Sequence, residues 1–290
     1  MKRIISVLLV LVVLLSMAPF ALAEPTQSRA VIGADLNDEQ IAQVYQAFGV
    51  SRGSVIELRV TNQEERQYLE GYVDSALIGT RSISCVYVEL LSEGAGMSVS
   101  TSNITWCTPE MYMSALATAG VTDANIVVAA PFGVSGTAAL TGVYKAYEDM
   151  TGQKLDDLAK LVSTQELTIT GELANEIGSM DSTSIVNELK LMLDETKNMS
   201  DEQLRQTINE IAAEYQVKLT DHQIDQLISL CRSLEGLDQN ELRSRVEEIQ
   251  GTLTKLSEAK TKVVGFVQTV KKVVESISSF FQRIGKILGL

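Results

Sequence analysis

Cys85-Val86-Tyr87-Val88-Glu89-Leu90-Leu91, then Ser92-Glu93-Gly94-Ala95-Gly96, then Met97-Ser98-Val99-Ser100-Thr101-Ser102-Asn103-Ile104-Thr105-Trp106-Cys107, is the stretch on which the fold turns. Two β-prone runs flank a glycine-containing turn, the pattern of a β-hairpin spanning 81–91 and 97–107. A register that opposes Cys85 and Cys107 also opposes Val86 with Trp106 and Val88 with Ile104, giving one apolar face. That register admits a cross-strand disulfide between Cys85 and Cys107, and the alternative is two buried free thiols, because adjacent strands often fail disulfide geometry.

Outward from this hairpin the element types alternate. Upstream, Asn37-Asp38-Glu39-Gln40 caps a helix that stops at Gly49. Ile56, Leu58 and Val60 alternate with Glu57 and Arg59 as a half-buried strand. Thr61-Asn62 with Glu64-Glu65 opens a second helix reaching about Gly71. Downstream, Thr108-Pro109 begins a helix ended by Gly120. Asn125 to Ala130 is a short apolar strand, and Ser135-Gly136-Thr137, with Ser135 as cap, leads into a helix to about Met150. With the first helix set aside, the order is β-α-β-β-α-β. We therefore expect an α+β fold with a ferredoxin-like split βαβ domain over 24–151, helices on one face of an antiparallel sheet.

Beyond Thr151-Gly152 helix signals dominate. Ser200 with Gln203, Thr220 with Gln223 and Asp238 with Glu241 mark three successive helix starts, so an all-helical domain is expected over 152–251. Cys231 reads as a small core residue there. Residues 252–290 carry a heptad-like seam including Leu253, Leu256, Val263, Val267, Val270, Val274, Ile277, Phe281, Ile284 and Leu288, flanked by Phe266, Val273, Phe280 and Ile287. Seven basic residues stand there against Glu258 and Glu275. Two covers fit that face, Phe266, Val270, Val274, Ile277, Phe280, Phe281 and Ile284 at its centre. One is protein, either this chain's own helical domain or another copy, which makes an oligomer through the C-terminal helix an expectation. The other is an anionic membrane surface.

The opposite terminus predicts an address. Lys2 and Arg3 precede an apolar stretch from Ile4 to Leu15, and Ala21-Leu22-Ala23 precedes Glu24, the pattern of a signal peptide over 1–23 cleaved after Ala23. An extracytoplasmic protein, secreted or associated with the cell envelope, is expected. The formal net charge of -13 argues against nucleic acid as a partner. Three cysteines leave at least one unpaired within a monomer.

Catalytic constellations are sparse. Gly133-Val134-Ser135-Gly136-Thr137 lacks the closing glycine of a nucleophile elbow, and the single histidine, His222, lies in the helical part at a helix start. Neither zinc-ligand spacing nor an EF-hand series is present, so no metal and no cofactor are expected. Glu64 with Glu65 and Asp156 with Asp157 are adjacent acids that point in different directions on helices. The strand-loop-helix at Pro131–Ala139 is the one binding candidate: Gly133, Ser135, Gly136 and Thr137 would offer a small anion backbone N–H groups at a helix start.

Several segments resemble a known family: Gly33-Ala34-Asp35-Leu36, Val60-Thr61-Asn62, Ile78-Gly79-Thr80-Arg81-Ser82-Ile83-Ser84, Asn103-Ile104-Thr105-Trp106, and Ala130-Pro131-Phe132-Gly133-Val134-Ser135-Gly136-Thr137-Ala138-Ala139-Leu140-Thr141-Gly142. The chain resembles the domain-of-unknown-function family numbered one thousand and two, exported proteins of Gram-positive bacteria, over nearly all of its mature length. The resemblance implies export and supplies no catalytic residues. The expectation from all of this is a non-catalytic interaction or structural module with an unknown envelope protein or membrane surface as partner. The alternatives are an enzyme acting on cell-wall or extracellular polymers, or a small anionic ligand binder at the Ser135 turn.

Overall fold

The computed structural model describes residues 27–71 and 75–258. The expected signal peptide and the tail face from Phe266 to Ile284 lie outside the described residues. Within them the protein is a mixed α+β fold built on one five-stranded sheet. The strands are β1 (Ser28–Gly33), β2 (Ile56–Val60), β3 (Cys85–Leu90), β4 (Ser98–Ile104) and β5 (Ala124–Val134). The helices of this half are α1 (Asp38–Phe48), α2 (Asn62–Leu69), α3 (Ser75–Ile78), α4 (Pro109–Ala119) and α5 (Ala139–Thr151).

The sheet order is β2-β1-β3-β5-β4. β1 runs parallel to β2 and β4 parallel to β5, while β3 is antiparallel to both its neighbours, β1 and β5. Four strands therefore share one direction and central β3 opposes them. This corrects the ferredoxin-like expectation, which requires an antiparallel sheet covered on one face. Here α1 covers one face, where Ile41, Val44 and Phe48 meet Ala30, Ile32, Cys85 and Tyr87. On the other face, α4 and α5 bring Met111, Leu116, Leu140 and Val143 against Val31, Val86, Val88, Ile126 and Val128.

The expected 85–107 hairpin does not form, because β3 and β4 are not neighbours. The side chains explain why. β3 is buried on both faces, with Val86 at 0% exposure on one and Cys85 at 1% on the other, so it suits a central place and finds apolar β1 and β5 on its two edges. β4, Ser-Val-Ser-Thr-Ser-Asn-Ile, is half exposed and suits the sheet edge. Cys85 and Cys107 consequently join different clusters on opposite faces of the sheet, and both are free thiols, as is Cys231. β1, absent from the sequence reading, is buried along nearly its whole length, so it lacks the period-two pattern that marks a half-buried strand.

Capping chemistry places the helices as the sequence says. The Asn37–Gln40, Thr61–Glu64, Ser200–Gln203 and Thr220–Gln223 pairs all close reciprocal capping boxes. After α5 come α6 (Asp157–Ile177), α7 (Ser179–Leu191), α8 (Leu193–Thr196), α9 (Asp201–Glu214) and α10 (Asp221–Leu234). A further helix, α11, covers residues 239–258. Leu173, Ile185, Leu189, Leu204, Ile208, Leu227 and Leu230 form a second core among them.

α6 lies against α4. Gly171 permits the approach, since a Cβ there would sit 2.4 Å from the Trp106 ring. Between these helices Lys190 bonds Glu166, Ser114 and Thr118 in a sealed polar cluster. Ile249 and Leu253 of α11 join the sheet-side core.

Candidate binding site at the carboxyl end of the sheet

β1, β2, β4 and β5 all end on the same side of the sheet, and antiparallel β3 begins there. Gly33 pairs with Val60, Cys85 with Ala129 and Ile104 with Val134. Every one of the five resemblance segments therefore sits on this one end. In sheets of this kind the carboxyl ends of parallel strands are where ligands bind, because the loops leaving them surround an open crevice.

The loops are tied together by backbone and side-chain bonds. Asp35 follows β1, and its Oδ2 accepts from Ser82 N at 2.7 Å while its carbonyl accepts from Arg81 Nη2 at 3.0 Å. Arg66 of α2 donates to the Gly79 carbonyl at 2.7 Å. Glu65, with 0% exposure, accepts from Ser82 Oγ and from Asn62 Nδ2. Burial raises its carboxyl pKa to about 7, with Asp35 and Glu64 adding to the rise and the Ser82 and Asn62 hydrogen bonds opposing it.

The opposite wall leaves β5. Asn103, in the left-handed region at φ 58, donates from Nδ2 to the Ala130 carbonyl at 2.8 Å and marks a register shift between β4 and β5. The shift accommodates Pro131, which has no N–H to offer the ladder. Cys107 N donates to the Ser135 carbonyl at 3.0 Å, and Tyr112 Oη to the Gly136 carbonyl at 2.5 Å. Gly136 is irreplaceable on two counts: its φ is 95, and a Cβ would lie 2.5 Å from both Tyr112 Oη and Ile104 Cγ2.

Between the walls is a cavity of about 260 Å³ lined by residues of the Ile78–Ser84 loop and the Val134–Ala138 turn. Thr80, Arg81, Ser84, Ser135 and Thr137 supply its polar groups, Ile78 and Ile83 its apolar ones. No carboxylate among the described residues forms an ion pair with Arg81. Of the four residues singled out by sequence, Ser135, Gly136 and Thr137 line this cavity. Gly133 does not: it lies within β5 beside Thr105. Ser135 is not the helix cap either, since α5 begins at Ala139 with Ala138 preceding it.

Arg81 and Asp35 were missed because neither belongs to a periodic element; their only sequence signal is membership of the resemblance segments. Glu64 and Glu65 diverge, Glu64 pairing with Lys145 while Glu65 turns inward. Asp156 caps α6 through Ala159 N, and Asp157 pairs with Lys160. Among the described residues no group of three His, Cys, Asp or Glu side chains could hold a metal ion, and no helix is long and apolar enough to cross a membrane.

Residues 32–256 match the family described as "Protein of unknown function (DUF1002)". The chain is also similar to "Uncharacterized protein YpuA" of Bacillus subtilis (strain 168), 34% identical over 291 residues, covering 96% of this chain and 99% of the relative. No solved structure matches.

Proposed function

We propose, from the premise that the chain belongs to this family of unknown function, that it is an exported, non-catalytic cell-envelope module that holds a small anionic ligand at the carboxyl end of its sheet. The observation that carries the ligand reading is that two of the resemblance segments, Ile78–Ser84 and Ala130–Gly142, face each other across one cavity whose side-chain charge is Arg81. A guanidinium with donors to spare, next to threonine and serine hydroxyls, suits a carboxylate or phosphate group. Binding is favoured over catalysis because neither acid with a raised pKa lines the cavity: Glu65 bonds Ser82 and Asn62, and Glu248 lies on α11. Export rests on the charged, apolar and small-residue succession of residues 1–23. The seam of residues 252–290 supports contact with a protein or membrane partner.

Calorimetric titration with inorganic phosphate and with acetate tests the ligand reading. Saturable binding of either should weaken about tenfold or more in Arg81→Ala and in Thr137→Val, each with an unchanged melting temperature. Equal affinity in Arg81→Ala would overturn it. N-terminal sequencing of protein recovered outside the cytoplasm should begin at Glu24, and a retained Met1 would remove the basis for release.

A further inference from the structure

A second cavity, of about 240 Å³, lies between α7, α11 and Tyr215. Asp181, Ser184 and Asn187 project into it from successive three-residue steps of α7, which places them on one helix face. Leu253 and Thr254 of α11 line it opposite.

Asn187 is the anomaly. It has 0% exposure, its Oδ1 meets Ser114 Oγ at 2.8 Å, and its Nδ2 has no hydrogen-bond partner. Ser114 has one proton and also contacts Glu166 Oε1, so it serves either that carboxylate or the Asn187 oxygen. If it serves Glu166, the Asn187 amide turns its NH2 toward Ser114 and its oxygen is left without a partner. In both arrangements one end of a fully buried amide is unpaired beside a cavity. Native proteins seldom leave a buried polar group in that condition without a water or a ligand to answer it.

The lining decides what kind of ligand. Among the described residues no cation lines it, so it offers phosphate or carboxylate no charge recognition there. Asp181, with no ion pair or hydrogen bond among the described residues, accepts donors. Thr254 gives its proton to the Gln250 carbonyl and offers a ligand its oxygen, Ser184 adds a second hydroxyl, and Leu253 with the Tyr215 ring gives an apolar floor. A hydroxyl satisfies either end of the Asn187 amide, and a sugar ring carries several hydroxyls together with an apolar C–H face. The geometry points to a site for one sugar-sized polyol, preferring a ring that bears an amine able to pair with Asp181.

The test is titration of the full chain with glucosamine and with glucose, read by calorimetry or by ligand-observed NMR. Glucosamine should bind saturably and several-fold more tightly than glucose, and Asp181→Asn should bring the two together. Thr254→Trp fills the cavity from an exposed position on α11 and should weaken glucosamine about tenfold without lowering the melting temperature. Asn187→Leu should do the same, and Thr254→Trp keeps the test decisive if that variant misfolds. Arg81→Ala should leave sugar binding intact; its loss would place the sugar in the sheet-end cavity and overturn the assignment. Absence of saturable binding by either sugar up to tens of millimolar, or full affinity in Thr254→Trp, would overturn it as well.

Discussion

Lys190 Nζ stands 2.9 Å from Glu166 Oε1, with both side chains sealed from water. Burial lowers the Lys190 pKa and Glu166 holds it up. The lysine also reaches the Ser114 carbonyl at 3.0 Å and Thr118 Oγ1 at 3.2 Å, so the pair joins α4, α6 and α7. Removing one member strands a buried charge, whereas removing both does not. Lys190→Met alone should destabilise by about 3–5 kcal/mol, and the double change Lys190→Met with Glu166→Leu should recover most of that. Urea melts of the three proteins check it; a double variant as unstable as the single one would show that hydrogen bonding outweighs charge here.

Glu65 makes stability depend on pH. Its folded pKa, about 7, lies above the ordinary carboxyl value of 4.5, so the native state holds the proton more tightly than the unfolded chain. The contribution is complete below about pH 4.5 and is lost as pH rises through 7. That difference amounts to about 3 kcal/mol. Glu65→Gln should flatten the slope of stability between pH 5 and pH 8, as followed by denaturant midpoints. An identical slope in the variant would assign the titration to another group.

At Gly171 the close approach of α6 to Trp106 predicts a coupling. Gly171→Ala should cost about 1–3 kcal/mol through overpacking. In the background of Trp106→Ala the same change should cost much less, because the ring that a Cβ would strike, 2.4 Å away, is gone. Additive costs in the double-mutant cycle would contradict the contact.

The three thiols should behave alike. Burial pushes Cys85, Cys107 and Cys231 up to about 12, which leaves little thiolate at neutral pH. Iodoacetamide should label none of them in the folded protein within the time that labels all three in denaturant. A Cys85–Cys107 bridge found by mass mapping of the native protein would conflict with their placement on opposite faces of the sheet.

Helix ends were legible in the sequence because they are written locally. Asn37, Thr61, Ser200 and Thr220 each carry their own cap partner three residues on, and Gly49 and Gly120 each stop a helix in the left-handed region. Strand partners were not legible, since β3 pairs with strands before and after its sequence neighbour β4. The clue that should have separated them was composition: serine stands at every second position from Ser98 to Ser102 in β4, while β3 and β5 are largely apolar. The turn at Ser135 was readable from its glycine. Its facing wall was not, because the Ile78–Ser84 loop has no period and reaches Ser135 only through the pairing of β3 with β5. Lys190 and Asn187 gave no signal, as polar residues within a helix ordinarily face water.

The insertion of β3 between two parallel pairs also bears on how the chain avoids sticking to its copies while it folds. Once β1 and β3 have paired, the far side of Cys85–Leu90 remains an open edge of apolar residues until Ala124–Val134 has been made and has threaded in beside it. An open apolar edge is a template for intermolecular pairing. The serine-rich β4 arrives first, but its side chains suit water better than that edge. The interval between β3 and β5 is thus the stretch of synthesis or refolding in which the protein is most exposed to aggregation, and a chain truncated before Ala124 would be left with that hazard permanently.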